Sequence, residues 1–349
     1  MPLYRCNHCG HIEETPAPPQ QTTCAACGKP VTAHDAATLL RHVMQRYTEL
    51  NKQYKALQQQ SSAAAPAAAE PAPQAAASAK KQPAKAAPSV DLRNAALHST
   101  SALATDAQHK PLQDWFAGRG ANAIIQTANV DMSGFFDEAA EAIGSNYQLM
   151  APVMEHFRRT LNRGGEGMRL DLQKYEPQDA QHIQNLCRKL HGWTFFTNCN
   201  YKKQDKTLHI GFQSATAARQ FLAGGWLEWF ALGAALAEIK KKQAEQGSYS
   251  FSLARGLTLQ FVNGDKNELD VAVLPEGQKS PFVIECKTGE FRKDIDKMVR
   301  LARRLSLPKE RFIALAVDLD EEQTKALSAM YPLHFTPMHR LQEHIATLL

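Results

Sequence analysis

The sequence lacks a long uninterrupted run of apolar residues. Its longest apolar segment, WLEWFALGAALAEI at 226–239, is short and is broken by Glu228 and Glu238, so we expect no membrane-spanning helix. The N-terminus MPLYRCNHCG has no apolar core of the kind that secretory signals carry. These absences favour a cytoplasmic protein without a membrane partner.

A strong charge of either sign is also absent. The 349 residues include 40 Lys and Arg against 35 Asp and Glu, which gives a net charge of +5. Such a mildly basic balance permits a polyanionic partner but does not require one. The hydrophobic content of 44% is ordinary for a globular protein, and the length suits about two domains.

Cysteine is scarce, and four of the seven cysteines lie in two CxxC pairs within residues 1–34. Each pair, Cys6 with Cys9 and Cys24 with Cys27, can direct two thiolates at one Zn²⁺, and two pairs complete a tetrahedron. The segment is too short to bury a core, so the metal would supply its folding energy. We therefore predict a structural zinc ribbon; a redox pair or a chance pattern is the alternative.

Residues 35–60 carry an apolar repeat spaced 3, 4, 3, 4, 3 from Leu40 to Leu57. This spacing predicts a heptad helix of about three heptads that joins chains in a coiled coil. A single amphipathic helix packed on its own domain is the alternative. A homodimer or higher oligomer, and a protein partner bound through residues 1–60, are the interactions that we expect here.

Residues 61–92 are rich in Ala and Pro and lack the large apolar side chains that would offset the entropy of ordering. They predict a disordered linker. The next segment, 93–217, predicts helices up to residue 165 and then a small α+β middle domain, including a hairpin over GWTFFTNCNYKKQDKTLHIGF. The aromatic residues of this hairpin are most simply core, and stacking on nucleobases is their alternative role.

Residues 218–349 give the order helix, three strands, helix, strand. The three strands, near 256–262, 269–274 and 281–287, are close enough to pair as a meander, and the following helix suits a crossover connection. We predict an α/β domain with a mixed sheet flanked by helices.

Carboxylates collect at the ends of these strands. Side chains alternate along a strand, so Glu285 and Lys287 share a face. A hairpin would bring Asp270 beside Glu285, and Glu228 on the preceding helix could pack over the same face. Glu268 and Gln260 are weaker candidates.

Like charges raise each other's pKa values, and a divalent cation would relieve that repulsion. Oxygen ligands favour Mg²⁺ or Mn²⁺. The ion would activate water at a phosphate, and Lys287 would orient that water or neutralise developing charge. The alternative is a surface ion pair between Glu285 and Lys287 that contributes little.

Three motifs resemble those of the PD-(D/E)XK nuclease superfamily, which has a restriction-endonuclease-like fold. FLAGGWLEWF, NELDV and IECKTG, with Glu228, Asp270, Glu285 and Lys287, are similar to the C-terminal nuclease domain of CRISPR-ancillary nucleases activated by cyclic tetra-adenylate. The resemblance implies that the backbone carbonyl of Cys286 is also a metal ligand, and that the protein acts in defence against foreign nucleic acid. Those relatives carry a Rossmann-like sensing domain, whereas this chain has the predicted zinc ribbon, heptad helix and linker instead.

The segment from Lys287 to Arg311 contains nine Lys and Arg against four acidic residues. Its basic surface could bind a phosphate backbone, with Lys297 and Arg300 as first candidates; a solvated helix face is the alternative. We therefore expect a metal-dependent nuclease acting on DNA, RNA or both. The competing interpretations are a non-catalytic zinc-ribbon adaptor that binds nucleic acid on a nuclease-derived scaffold and a protein-interaction module.

Overall fold

The computed structural model describes residues 90–93, 103–130 and 135–349, and within the first 35 residues 2–5, 12–14, 21–23, 25, 27–28, 30–32 and 34–35. The chain divides into two compact units, Met1–Gln82 and Pro83–Leu349. The first unit contains the predicted zinc ribbon and heptad helix. The second contains every candidate catalytic residue.

The first unit has five short strands: β1 (Pro2–Arg5), β2 (Ile12–Glu14), β3 (Gln21–Thr23), β4 (Pro30–Thr32) and β5 (His34–Asp35). β1 pairs with β2 and β5, and β3 pairs with β4, all antiparallel. Cys27 lies in a turn before Gly28, which has φ +67°. Cys6, Cys9 and Cys24, and residues 36–89 with most of the heptad helix and linker, lie outside the described residues. Zinc binding and self-association stay predictions.

The predicted linker 61–92 extends too far towards the second unit. Leu92 is only 1% exposed. Its N–H donates to Gln243 Oε1 (2.8 Å), and Gln243 Nε2 donates to the carbonyls of Val90 (2.7 Å) and Tyr249 (3.0 Å). Residues 90–92 therefore belong to the folded second unit, because one buried leucine and a buried glutamine amide hold them there.

A six-stranded mixed sheet forms the centre of the second unit, in the order β14-β13-β12-β11-β10-β6. Its strands are β6 (Ala121–Ile124), β10 (Phe251–Phe261), β11 (Lys266–Pro275), β12 (Phe282–Lys287), β13 (Phe312–Ala316) and β14 (His334–Thr336). Pairing is antiparallel from β6 to β12 and parallel from β12 to β14. The predicted meander, crossover helix and mixed α/β sheet are confirmed.

Helices cover both faces of this sheet. The larger ones are α1 (Asp106–Ala117), α2 (Phe136–Gly144), α3 (Tyr147–Asn162), α4 (Pro177–Gly192), α5 (Thr216–Gln220), α6 (Trp226–Gln246), α7 (Ile295–Arg304), α8 (Glu321–Met330) and α9 (Leu341–Leu348). α6 and α9 bury apolar side chains in one core, which we term the first core. α1 and α7 pack on the other face in a second core.

Local sequence sets where these helices begin and end. α6 ends at Gly247, whose φ of +79° gives the left-handed turn that glycine adopts without penalty. α8 begins with a capping box, in which Asp320 accepts from the Gln323 N–H and the Gln323 side chain accepts from the Asp320 N–H. These caps satisfy backbone groups that the first and last helical turns leave unpaired.

The middle region contributes a second sheet, in the order β7-β9-β8. β7 (Gly167–Asp171), β8 (Phe196–Lys202) and β9 (Thr207–Phe212) pair antiparallel, and β8 and β9 form the hairpin expected from the sequence. Its buried residues and those of α2 to α4 lie in the first core, together with α6. The predicted boundary at 217/218 therefore falls inside one compact unit.

One strand of the central sheet interrupts the segment that we expected to be helical up to residue 165. β6 pairs with β10, with Ala121 opposite Phe261 and Ile124 opposite Thr258. The strand has only four residues, so its alternation is too short to stand out between two helical patterns. Among the described residues, no helix is long and apolar enough to cross a membrane.

Candidate active site

Asp270 and Glu285 lie beside each other on neighbouring strands. The β11–β12 ladder pairs Val271 with Ile284, and its next position places Asp270 across from Glu285. Asp270 Oδ2 accepts a 2.7 Å hydrogen bond from the backbone N–H of Cys286. The hairpin geometry proposed from the sequence is therefore present at this position.

Glu285 is a buried carboxylate with one oxygen paired and one not. Its residue is 7% exposed, and Lys287 Nζ donates to Oε2 over 3.0 Å. Oε1 is buried and has no hydrogen-bond partner within the described residues. A buried carboxylate oxygen without a partner is costly. Glu285 is therefore buried in its ion pair with Lys287, whereas the alternative interpretation was an exposed ion pair at the surface.

Along β10 and β11, the side chains that point to one face of the sheet switch to the other face at Gly256 and Asp270. On β10, Leu253 packs in the first core, whereas Leu257, four residues later, packs in the second. The neighbours of Asp270 on β11 divide in the same way. Gly256 has φ +60°, a conformation that side chains rarely adopt. Asp270 therefore lies at a crease, where groups from both faces of the sheet can act on it.

Glu228 approaches this crease from α6, and burial and the charge of Asp270 raise its pKa. α6 packs over the face that bears Ile284, whereas Glu285 alternates to the face of Val283 in the second core. The charges of Asp270 and Lys287 act on both carboxylates, Asp270 raising and Lys287 lowering their pKa values. The convergence of Glu228 and Glu285 on one point stays a prediction.

Arg255 on β10 holds Glu228. Its Nη1 donates to Glu228 Oε2 (2.8 Å) and its Nε to the carbonyl of Asn129 (2.7 Å), and the guanidinium lies 4.0 Å from the centroid of the Trp229 ring. Arg255 was not among the residues predicted from the sequence. Its signal is that it is the one charged residue of β10 and directly precedes Gly256 at the crease.

Burial raises the pKa values of all three carboxylates. Burial, and then the charge of Asp270, raise the pKa of Glu228 to about 7 and that of Glu285 to about 8. Burial also raises the pKa of Asp270, against the opposing effects of Lys287 and the Cys286 N–H. A cation at this position would relieve the cost of ionising these groups.

The same carboxylates also shift the pKa values of the two other residues of the ECK motif, Cys286 and Lys287. Burial lowers the pKa of Lys287, but Glu285 and Asp270 outweigh that effect and raise it overall, so its ammonium stays charged. Burial and the surrounding carboxylates raise the pKa of the Cys286 thiol well above its usual value. Cys286 is therefore a neutral thiol, and its Sγ lies 3.7 Å from the carbonyl oxygen of Leu227 on α6.

The donor set fits a hard cation in part. Asp270 contacts the backbone N–H of Cys286, and the neighbouring Glu285 has an unpartnered Oε1. Mg²⁺ commonly uses one or two carboxylates with water and phosphate. Glu228 is occupied by Arg255. In the part of the chain that the structure describes, no group of three or more His, Cys, Asp or Glu residues is arranged to hold a metal ion.

The remaining candidates lie at the surface. Glu268, Gln260, Lys297 and Arg300 are exposed. The charge of Lys297 on α7 lowers the pKa of Glu285, so Lys297 is near the carboxylates. Glu268 raises the pKa of Asp270.

A cleft of about 290 Å³ opens next to the ECK motif, between α3 and the loop after β12. Thr288 and Gly289 line one side, and Gly224, in the turn just before α6, lines another. Gly224 has φ +150°, and a Cβ there would lie 2.6 Å from Thr288 Oγ1. The glycine in FLAGGW thus permits the helix and the loop to approach each other closely.

No protein-family model and no curated protein matches this chain. Among solved structures, Can2 from Sulfobacillus thermosulfidooxidans, in complex with cyclic tetra-adenylate, is similar at 15% identity and a TM-score of 0.47, over 70% of this chain and 61% of that one. Protein VC1899 from Vibrio cholerae is similar at 18% identity and a TM-score of 0.45, over 68% of this chain and 60% of that one. This chain therefore spans less than two thirds of either structure.

Proposed function

We propose that the chain is a divalent-metal-dependent nuclease that hydrolyses phosphodiester bonds of DNA, RNA or both. Glu285 carries the proposal. It is a buried carboxylate opposite Asp270, with Lys287 on one oxygen and an unpartnered second oxygen. Such an arrangement is expensive for a protein to maintain unless the orphan oxygen has a ligand in the active state.

Asp270, Glu285 and the backbone carbonyl of Cys286 would hold Mg²⁺ or Mn²⁺. The bound ion supplies a Lewis acid and lowers the pKa of a water molecule. Lys287, already charged beside Glu285, would orient that water or stabilise negative charge developing on the phosphate. Glu228 would join the ligands only after its ion pair with Arg255 opens.

Further roles follow from the same proposal. Lys297 and Arg300, exposed on α7, would bind the phosphate backbone of the substrate. Cys6, Cys9, Cys24 and Cys27 would hold a structural Zn²⁺ that stabilises the first unit. Residues 1–60 would assemble a homodimer or higher oligomer or bind a protein partner. The motif resemblance supports a role in defence against foreign nucleic acid.

Cleavage of plasmid, single-stranded DNA and RNA in Mg²⁺ or Mn²⁺ tests the proposal. We expect Asp270→Asn, which keeps an acceptor for the Cys286 N–H, to lower the rate on the order of 100-fold or more. Asp265→Asn is the matched control, because Asp265 lies exposed at the β10–β11 turn and bonds to Arg304. Equal rates for wild type and Asp270→Asn would exclude the catalytic assignment.

A non-catalytic adaptor is the second candidate. The ion pair between Arg255 and Glu228, and the lack of a three-ligand group among the described residues, favour it. An adaptor would bind nucleic acid without cleaving it in either metal. Cleavage that Asp270→Asn abolishes and Asp265→Asn preserves would rule it out.

A further inference from the structure

The cleft beside the ECK motif contains an arginine to which the proposed function gives no role. Arg158, on α3, is half-buried and lines this cleft of about 290 Å³. Thr288 and Gly289, which follow the ECK motif in the sequence, line it as well. Pockets that bind small ligands begin at roughly 300 Å³. The cleft therefore has room for a small charged group such as a phosphate, next to the strand that carries the candidate catalytic residues.

Arg158 lies directly against the loop after β12. A Cβ added to Gly289 would be 2.9 Å from Nη1 and 3.2 Å from Cζ of Arg158. The guanidinium thus occupies the space that any larger side chain at position 289 would need. Gly289 follows Lys287 by two positions, so the guanidinium is held against the segment that continues from the proposed catalytic lysine.

Glu155 orients Arg158 and leaves part of its guanidinium free. Arg158 donates from Nε to Glu155 Oε2 (2.8 Å) and from Nη2 to Glu155 Oε1 (2.9 Å). Burial raises the pKa of Glu155, but hydrogen bonds from Arg158 and Arg159 outweigh burial and lower it overall, so this carboxylate stays charged. Nη1 has no hydrogen-bond partner within the described residues. Because arginine has five N–H donors in a fixed fork, donors remain for a ligand.

The two other acidic residues that line the cleft differ in their pairing. Glu290 forms an ion pair with Arg292 over 3.1 Å. Asp318, after β13, is exposed and forms no salt bridge in the part of the chain that the structure describes. Burial, and then the charge of Asp318, raise the pKa of Tyr147, which also lines the cleft. Asp318 therefore opposes the binding of an anion here, and its removal should act in the opposite direction to removal of Arg158.

We propose that Arg158 binds a phosphate group of the nucleic-acid backbone in this cleft, next to the phosphodiester that is hydrolysed. A guanidinium that is already oriented by a carboxylate offers directional N–H donors to phosphate oxygens. This role rests on the proposed nuclease function, and it makes Arg158 a substrate-binding residue that sets where the strand lies relative to Lys287. The alternative is a brace between α3 and the loop after β12, with no ligand.

Equilibrium binding at several salt concentrations separates these two roles. Fluorescein-labelled DNA and RNA, single-stranded and duplex, are titrated with the Asp270→Asn protein in buffer without added Mg²⁺ or Mn²⁺, so that cleavage does not affect the anisotropy. In this background Arg158→Met should weaken binding about tenfold or more and lower the slope of log K against log salt by about one, because one phosphate contact is lost. Arg158→Lys should keep the slope, and Asp318→Asn should strengthen binding.

Arg163→Met is the matched control. Arg163 is an exposed arginine at the end of the same helix and does not line the cleft, so its substitution should change neither the affinity nor the salt slope. Urea unfolding shows whether each variant is folded. Should Arg158→Met fail to fold, Arg158→Lys and the exposed Asp318→Asn still test the proposal.

Several results would overturn the phosphate contact. These are an unchanged affinity and slope in Arg158→Met, an equal loss in Arg158→Met and Arg158→Lys at an unchanged slope, weaker binding by Asp318→Asn, or no oligonucleotide binding by the parent protein.

Cleavage assays keep the phosphate contact apart from the nuclease function. A wild type that cleaves in Mg²⁺ or Mn²⁺, with an Arg158→Met variant of the same KM and the same salt slope, would reject the contact alone. A wild type that never cleaves, with Arg158 still setting the salt slope of binding, would reject the nuclease alone.

Discussion

Asp270 is the residue on which the electrostatics of the site depend. It accepts the Cys286 N–H, and its charge raises the pKa values of both Glu228 and Glu285. The sequence places Asp270 beside Glu285 correctly because strand alternation and a short hairpin leave few choices. It does not predict the ion pair between Glu228 and Arg255, because the change of face at Gly256, next to Arg255, is a backbone feature with no periodic signal.

At the residue scale, the raised pKa of Glu285 predicts a pH-dependent stability. The pKa of the Glu285 side chain is 4.5 in the unfolded chain and about 8 in the folded one. Between these pH values the folded state binds more protons, so the free energy of unfolding falls as pH rises through this window in buffer without added Mg²⁺ or Mn²⁺. Glu285→Gln should make this fall shallower in urea titrations at several pH values, and Glu228, whose pKa is also raised, accounts for the part that stays.

The exposed Glu245 on α6 provides the control, since Glu245→Gln should keep the wild-type slope. An identical pH profile for wild type and Glu285→Gln would mean that the carboxyl of Glu285 is not held protonated in the folded protein.

At the scale of elements, the approach to α6 sets the distance between that helix and the loop after β12. α5 passes into a π-helical turn over Phe221–Gly225, and Gly224 breaks the regular helix there. π-helical turns often occur at functional sites. The sequence indicates a helix from near residue 217 but not this break, because a glycine pair inside an apolar helix has several possible effects.

Gly224→Ala and Gly233→Ala form a matched pair that tests this close approach. A Cβ at Gly224 would collide with Thr288 at a φ of +150°, so we expect a loss of about 1–3 kcal/mol in stability and slower cleavage. Gly233 lies within α6, where an added Cβ would have no atom of another element within 4 Å. Gly233→Ala should therefore stabilise the protein by about 0.5–1 kcal/mol.

Urea unfolding and cleavage rates check both variants. Equal effects of the two substitutions would show that the contact between Gly224 and Thr288 does not constrain the loop.

At the scale of the molecule, the sequence predicts the central α/β order well because buried strands and the amphipathic α7 carry strong periodic patterns. It does not predict that β6 joins the sheet or that residues 90–92 pack on α6, since four residues and a single leucine give little signal. It also does not predict the contact between the rings of Phe135 and Trp193, because that contact joins segments 58 positions apart in the sequence.

Mn²⁺ binding measured by electron paramagnetic resonance tests the central claim most directly, because it needs no substrate. The account predicts that wild type binds Mn²⁺ in competition with Mg²⁺, that Asp270→Asn and Glu285→Gln each weaken binding by about tenfold or more, and that Asp265→Asn binds like wild type. Asp270→Asn binding Mn²⁺ as tightly as wild type would contradict it.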